Sequence, residues 1–253
     1  GATPQSALKI ARNILRRKNL ILEGLSTHLA DSGIPNQLAT KAQIQRFQQV
    51  IHSFGKMGIR PPIIHAANSG GTFNYPESRF DMVRSGVALY GIDRGVLTDH
   101  QVAVEPVLSL KSRVVYLKDL PAGSDVGYGG KHRTTKATRI ATCPVGYNDG
   151  YPHQLSNRSE VLVHGKRVPV VGTVTMDYLM IDVGTLPGLK VGEEVTLIGK
   201  QGHEEIRVEE LARLIPTIPH EITCGLGKRV KRVYTEQNAA LSEGLAHFQR
   251  GVA

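Results

Sequence analysis

The chain has 253 residues, of which 40% are apolar and 21% charged, a composition usual for a folded globular protein. No run approaches the roughly 18 apolar residues of a membrane helix, and the first residues do not resemble a signal peptide. The formal charge of +9 is scattered among few aromatic residues, so we expect no nucleic-acid partner and no membrane partner. Cys143 and Cys224 lack metal-type or redox spacing, which favours a cytoplasmic protein without a metal site.

Residues 1–93 alternate between helix-like and strand-like patterns. Apolar side chains recur at helical spacing at residues 7–15 and 44–54, and a short helix is expected near Pro76. This alternation is typical of a parallel α/β architecture, in which sites lie at the carboxyl ends of strands. Three strands cannot close an eight-stranded barrel, so we expect the chain to start within a domain. The strand patterns lie at residues 21–30, at 63–64 before a polar run at 65–71, and at 82–90.

From about Pro106 the pattern changes to that of an all-β domain. Helices are expected at residues 208–214, where Glu209 and Glu210 suit the N-terminal end, and at 236–248. Short apolar runs bounded by Gly, Pro or Asn predict strands at residues 107–117, 138–145, 161–163, 168–171, 179–183 and 195–198. The sequence therefore predicts an α/β portion at residues 1–95, a β domain at 104–240 and a tail at 241–253.

Two short strings carry side chains that can do chemistry, although each also has a structural interpretation. Tyr128 lies between glycines that allow a close approach to a ligand, and the alternative is a surface anchor on a loop. A phenol acts as a base near neutral pH only where a nearby cation lowers its pKa. Arg84 lies in an otherwise apolar run, so its guanidinium needs either a pocket or a buried salt bridge.

The predicted strand ends supply further candidates. His28 and His65 each follow a strand pattern, and each is either a site residue or a hydrogen-bonded core histidine. The turn at residues 68–71, Asn-Ser-Gly-Gly, can hold a phosphate through backbone N–H groups, or it is an ordinary glycine-rich loop.

Taken together and in chain order, these strings resemble the alanine racemase family. The resemblance covers roughly residues 20–235, and several motifs in the same order make it specific. It rests on LEGLSTHLA at residues 22–30, HAANS at 65–69, FDMVRSGVALYG at 80–91, VGYG at 126–129, VGYNDGYP at 145–152, VGTVTMD at 171–177, and Cys224 with Arg229 and Val230.

The resemblance implies a barrel that binds pyridoxal 5'-phosphate (PLP), followed by a β domain. In this chain, that would be the C-terminal part of a TIM-like α/β barrel and then a β-barrel-like domain. It also implies a homodimer whose sites lie between the barrel of one subunit and the β domain of the other. The implied activity is the interconversion of L- and D-alanine by two-base proton transfer on PLP, which supplies D-alanine for peptidoglycan.

The resemblance also implies a cofactor site in residues 1–95. Arg84, oriented by His65, would face the pyridine nitrogen of PLP, and His28 would lie against the ring. The phosphate would contact the side chain of Ser69 and two backbone N–H groups. The remaining members of this implied site are Asn68, Gly86 and Val87.

The β domain would supply the residues on the substrate side. Tyr128 would be the base that removes the α-proton of L-alanine, acting in the site of the partner subunit. Met176 and Asp177 would line the substrate site, again in the partner, and Tyr147 would line the access corridor.

The chain departs from the family pattern in two respects. The lysine that carries PLP, which is the family's other base, and the arginine that holds the substrate carboxylate have no counterpart here. We therefore expect a truncated form that is inactive alone. Lys228 stands where some relatives have a tyrosine that reaches the phosphate, and a lysine could make that contact as a point charge. Two alternatives stay open: a related racemase, such as one acting on serine, and a non-catalytic binding or assembly module.

Overall fold

The computed structural model describes residues 1–93 and 103–235. The first α-helix, α1, begins after Thr3, whose side chain caps it by accepting a hydrogen bond from the N–H of Ser6. In chain order, this region forms α1 (Pro4–Leu15), β1 (Gly24–Ser26), α2 (Leu38–Lys56), β2 (Ile63–His65) and α3 (Ser69–Asn74), followed by 3-10 turns at Pro76–Ser78 and Val87–Tyr90.

Strands β1 and β2 form a small parallel sheet, in which Gly24 pairs with Ile63 and Ser26 pairs with His65. Because the strands are parallel, their carboxyl ends meet at the same edge, and the chain leaves both strands there. Helix α2 contributes Ile44 to a small buried cluster with Leu29 and Tyr75. This edge of the sheet positions the side chains described in the next section.

The second region is built mainly of short antiparallel strands. They are β3 (Leu110–Arg113), β4 (Tyr116–Leu120), β5 (Asp125–Val126), β6 (His132–Arg133), β7 (Thr138–Cys143), β8 (Glu160–Val163), β9 (Lys166–Val171), β10 (Leu179–Asp182), β11 (Glu194–Gln201) and β12 (Glu204–Ile206). Helices α4 (Val208–Leu214) and α5 (Pro219–Gly225) follow, and 3-10 turns lie at Tyr128–Gly130, Tyr147–Asp149 and His153–Leu155. Among the described residues, no helix combines the length and the apolar character needed to cross a membrane.

One eight-stranded sheet organises this region. Seven of its strands lie in the order β12-β11-β8-β9-β10-β7-β4, and β3 pairs with β11, while β5 and β6 form a separate ribbon. The sheet packs around a large core made mainly of Val, Leu and Ile side chains, including the fully buried Val161, Ile181 and Leu197. The burial of these β-branched and aliphatic side chains is the main force that stabilises the region.

The two regions are joined through Ile92, whose side chain belongs to the large core. Beside it, the N–H of Asp93 donates to Glu209 Oε1 at 2.8 Å, and Arg207 Nη2 donates to the carbonyl oxygen of Gly91 at 3.0 Å. The end of the α/β portion is therefore anchored to the N-terminal end of helix α4 in the β domain.

Several sequence predictions are wrong in detail. Residues 82–90 do not form a strand: Met82 makes one bridge to His65, and the chain then turns at Gly86, with φ −104° and ψ −91°, into a 3-10 helix. The strand expected at residues 21–30 is limited to three residues, and part of the polar run at 65–71 forms α3 because Asn68 caps it.

In the β domain, the expected strand at residues 107–117 is divided into β3 and β4, and β5, β6, β12 and α5 were not expected. The remaining strands and the helix at residues 208–214 are confirmed, apart from shifts at their ends. The helix expected at residues 236–248 lies outside the described residues, and the proposed domain limits remain predictions.

Candidate active site

The guanidinium of Arg84 lies across the carboxyl ends of β1 and β2. Its Nη2 donates to the carbonyl oxygens of Thr27 at 2.9 Å and of Ala66 at 3.2 Å, the residues that directly follow the two strands. No carboxylate in residues 1–93 or 103–235 pairs with Arg84. Within the described residues, neutral acceptors rather than a salt bridge satisfy the guanidinium, and its charge is not compensated by any of them.

Two histidines flank Arg84. Nδ1 of His65 accepts a hydrogen bond from Nη1 of Arg84, and Nδ1 of His28 lies 3.3 Å from Nη2. Burial and the positive charge of Arg84 lower the pKa of His65 from its ordinary value, so its ring is neutral at pH 7. Because a guanidinium can only donate, the neutral ring of His65 carries its proton on Nε2.

Ser69 ties helix α3 to the turn that follows Arg84. Its Oγ accepts hydrogen bonds from the N–H of Gly86 at 3.0 Å and of Ala88 at 3.4 Å, which leaves its own hydroxyl proton available for another acceptor. The side chain of Asn68 makes its hydrogen bonds within the protein. Its Oδ1 accepts from the N–H of Gly71 at 3.0 Å, and its Nδ2 donates to the carbonyl of Leu29 at 3.3 Å. Asn68 thus shapes this turn.

These groups surround a cavity of about 660 Å³. Six of the seven residues expected at a cofactor site line it: His28, Asn68, Ser69, Arg84, Gly86 and Val87. His65 lies behind Arg84 and does not reach the cavity wall. His220, from α5 of the β domain, also lines the cavity, and no feature of the sequence had singled it out.

Tyr128 lies elsewhere, on an exposed loop of the β domain. Its flanking glycines, Gly127 and Gly129, have φ values of 74° and 72°, which a residue with a side chain rarely adopts. A Cβ on Gly127 would also lie 3.1 Å from the backbone nitrogen of Thr173, whose hydroxyl donates to the carbonyl of Tyr128 at 3.1 Å. The loop is thus held closely against its neighbour while the phenol side chain, 76% exposed, extends into solvent.

The other substrate-side candidates lie on two loops that pack together. The N–H of Tyr147 donates to the carbonyl of Thr175 at 3.0 Å, and the N–H of Asn148 donates to that of Met176 at 3.1 Å. The rings of Tyr147 and His153 are packed edge to face, with centroids 6.1 Å apart. Tyr147 and Met176 are both exposed, like Tyr128. We call residues 127–130, 146–150 and 172–178 the loop cluster.

Arg229 lies outside the loop cluster and bonds to two of its side chains. Its Nε donates to Asp149 Oδ1 at 2.6 Å, and its Nη2 donates to Asp149 Oδ2 at 3.2 Å and to Asp177 Oδ1 at 2.7 Å. Burial alone would raise the pKa of Asp149, but the hydrogen bonds from Arg229 and from the N–H of Gly146, together with the charge of Arg229, lower it below its ordinary value. Asp149 is therefore ionised near neutral pH, and it shares one guanidinium with Asp177.

The structure thus separates the predicted site residues into two groups. The cavity gathers the residues expected to bind the cofactor, whereas Tyr128, Tyr147, Met176 and Asp177 belong to the loop cluster and do not line the cavity. The cavity suits an anionic group, because Ser69 can donate, Arg84 is positive, and a Cβ built on Gly86 would meet no atom within 4 Å.

Fold and site together define a protein with an α/β region followed by a β domain. It has a fixed positive charge and anion donors at the carboxyl ends of parallel strands. Two family models match the chain in this arrangement: the alanine racemase N-terminal domain at residues 1–94 and the alanine racemase C-terminal domain at residues 107–234. The chain belongs to the alanine racemase family.

Curated relatives and solved structures agree with this assignment. The alanine racemase of Symbiobacterium thermophilum is 43% identical over 94% of this chain and 63% of its own length. The structure of the Bacillus anthracis alanine racemase with bound L-Ala-P is 33% identical, with a TM-score of 0.86 over 93% of this chain and 61% of that one. The Bartonella henselae alanine racemase, solved with covalently bound pyridoxal phosphate, is 31% identical, with a TM-score of 0.78 over 92% of this chain and 61% of that one.

These matches confirm the expected fold class, part of a TIM-like α/β barrel followed by a β domain. The chain spans between 61% and 63% of the length of these three relatives.

Proposed function

We propose that the whole protein is a PLP-dependent alanine racemase that interconverts L- and D-alanine and supplies D-alanine for peptidoglycan. The observation that carries this proposal is the environment of Arg84. A positive charge, with no carboxylate partner among the residues that the structure describes, lies at the carboxyl ends of two parallel strands, beside a cavity lined by anion donors. The family membership of the chain and the bound ligands of its structural neighbours support the same activity.

The residues of the cavity would hold PLP, which when bound supplies an electron sink that makes the α-proton of an amino acid removable. Ser69 and the N–H groups of Gly86 and Val87 would hold the phosphate, and the N–H of Gly86 would exchange its present acceptor, Ser69 Oγ, for a phosphate oxygen. Arg84 would face the pyridine nitrogen, and a guanidinium there would keep this nitrogen unprotonated because a neighbouring positive charge disfavours the protonated form. The neutral ring of His65 would fix the orientation of Arg84 without cancelling its charge.

The loop cluster would act in the site of a second subunit. Tyr128 would accept the α-proton of L-alanine, Met176 and Asp177 would line the substrate site, and Tyr147 would line the access corridor. The exposure of these side chains supports the proposal, because a homodimer in which the loop cluster of one subunit covers the cavity of the other would bury them. A cytoplasmic location, expected from cysteine usage, belongs to the same proposal.

Arg84 offers the most direct test. In the whole protein, Arg84→Gln should lower the racemisation rate of alanine by about 100-fold or more, since a positioned charge at a reacting centre is typically worth that much. Arg79→Gln is the matched control, because the Arg79 side chain donates to the carbonyl of Thr72 at 2.9 Å and does not line the cavity. Circular dichroism of each amino acid follows the rate, and PLP absorbance follows cofactor binding.

Two outcomes would contradict the proposal. The first is a wild-type protein that binds PLP but does not racemise alanine, as expected of a non-catalytic binding module. The second is faster racemisation of serine than of alanine at equal concentration, which would assign the protein to the related racemase kept as the alternative.

A further inference from the structure

Arg229 connects the segment after α5 with both turns that carry the proposed substrate-side residues. We propose that Arg229 is a positioning residue, which fixes the turn at residues 175–178 against the turn at 146–150 and so sets where Met176 and Asp177 lie relative to the substrate. This inference rests on the proposed racemase activity, because it concerns the same site.

The geometry of the guanidinium supports a positioning role. Two of its nitrogens bind Asp149, which is buried and also accepts a hydrogen bond from the N–H of Gly146 at 2.9 Å. Arg229 is therefore oriented by Asp149, the fourth residue of the turn at 146–150. From that fixed position, Nη2 reaches Asp177 at 2.7 Å, and this is the only hydrogen bond to the Asp177 side chain within the described residues. The direction of Asp177 thus depends on Arg229.

The fold around Arg229 is held by other contacts as well. The N–H of Gly227 donates to the carbonyl of Asp149 at 2.9 Å, and a Cβ on Gly150 would lie 2.3 Å from the carbonyl oxygen of Gly225, so the backbones are in close contact without any side chain. Loss of the guanidinium should therefore change the relative placement of the two turns more than it changes the stability of the domain.

Charge gives a second reason for a functional effect. Asp149 and Asp177 are two negative charges beside the surface that would meet the carboxylate of alanine, and Arg229 supplies the positive charge they share. Without Arg229, the local charge becomes more negative by one unit, and an anionic group is repelled. The expected result is weaker substrate binding, with a smaller effect on the chemical step.

The test compares Arg229→Gln with wild type in the whole protein loaded with PLP. Loss of a charge-assisted hydrogen bond predicts a rise of about tenfold in KM for alanine and a fall in kcat of less than about threefold. Hydrogen exchange of the peptide backbone should become faster at Tyr147 and Asn148, whose N–H groups bond to the other turn. Arg229→Lys keeps the positive charge but cannot bind both carboxylates as the planar guanidinium does. The KM of this variant should therefore lie between those of wild type and Arg229→Gln, while hydrogen exchange stays fast.

Arg139→Gln is the matched control. Arg139 makes a bidentate pair with the exposed Asp119, at 2.7 and 2.8 Å, between β7 and β4, and its side chain is about as exposed as that of Arg229. It should change neither KM nor the exchange at Tyr147 and Asn148. Asp177→Asn, which removes the charge of Asp177 and leaves the pair of Arg229 with Asp149 in place, should also accelerate exchange at these amides.

Each result decides the question. The inference is wrong if Arg229→Gln changes neither KM nor hydrogen exchange at the two turns. It is also wrong if exchange increases evenly over β7–β11, because Arg229 would then have a structural role only. If the wild-type protein does not racemise alanine, the proposed function fails, and the exchange rates alone then decide whether Arg229 fixes the two turns.

Discussion

Replacing Tyr128 by phenylalanine removes one hydroxyl group from an exposed side chain. The side chain is 76% exposed, and within the described residues its hydroxyl has no hydrogen-bond partner. The bond that holds the loop goes from Thr173 to the backbone carbonyl of Tyr128, and the substitution keeps it. We therefore expect the free energy of unfolding to change by less than about 0.5 kcal/mol.

The effect of Tyr128→Phe on activity should be much larger than its effect on stability. Loss of a general base typically lowers a rate by about 100- to 10,000-fold. This corresponds to an increase of about 2.7 to 5.4 kcal/mol in the activation free energy, at least five times the expected change in stability. PLP occupancy should not change, because Tyr128 does not line the cavity of its own subunit and its hydroxyl would serve proton transfer in the other.

Three measurements separate these effects: racemisation rates in both directions, PLP absorbance per subunit, and the thermal unfolding midpoint. Tyr116→Phe is the control, since Tyr116 on β4 is also exposed and lies outside the loop cluster. If Tyr128→Phe keeps more than about a tenth of the wild-type rate, the loss is smaller than a general base would give, and Tyr128 is only an anchor of its loop.

Two further predictions concern assembly and pH. Co-expression of Tyr128→Phe and Arg84→Gln subunits should restore about a quarter of the wild-type activity, because half of the dimers are mixed and one of their two sites is intact. No recovery would mean that both residues act within the same subunit. Asp149 has a lowered pKa in the folded state, so it should stabilise the fold above the unfolded value of about 3.9 and lose this effect as the pH falls through the folded value. The difference between wild type and Asp149→Asn in urea unfolding should therefore shrink below about pH 4, and a difference that grows on acidification would refute the assignment.

The sequence predicts the β domain better than the α/β portion. Strands such as β8 and β11 are apolar runs bounded by turn residues, and burial in one large core reinforces that local pattern. The run at residues 82–90 has the same local pattern, yet Arg84 and Gly86 direct it across strand ends instead of into the sheet. Local periodicity cannot reveal this, because the hydrogen bonds of Arg84 go to residues 18 and 57 positions away.

Contacts between residues far apart in the chain also limit what the sequence predicts about the candidate site. The types of side chain that line the cavity can be predicted from the resemblance, but the neutral partners of Arg84 cannot be read from the sequence. Neither His220 nor Arg229 is singled out by the sequence pattern. Arg229 lies 80 positions from Asp149 in the chain, and an isolated positive residue usually belongs to a solvated surface. The only available signal for Arg229 was its place in a family motif near Cys224.

The division of the site between cavity and loop cluster has a chemical consequence for the proposed base. A phenol surrounded by water keeps its proton near neutral pH, and a nearby cation favours its loss. Beside the loop cluster, the positive charge of Arg229 is already shared by two aspartates, whereas the charge of Arg84 has no carboxylate partner among the described residues. A dimer that brings Tyr128 to the cavity of the other subunit would place the phenol near the positive charge of Arg84. It would also exclude water from the phenol and from the guanidinium. Assembly would then activate the base, and a monomeric variant would lose racemisation even with every residue of the chain intact.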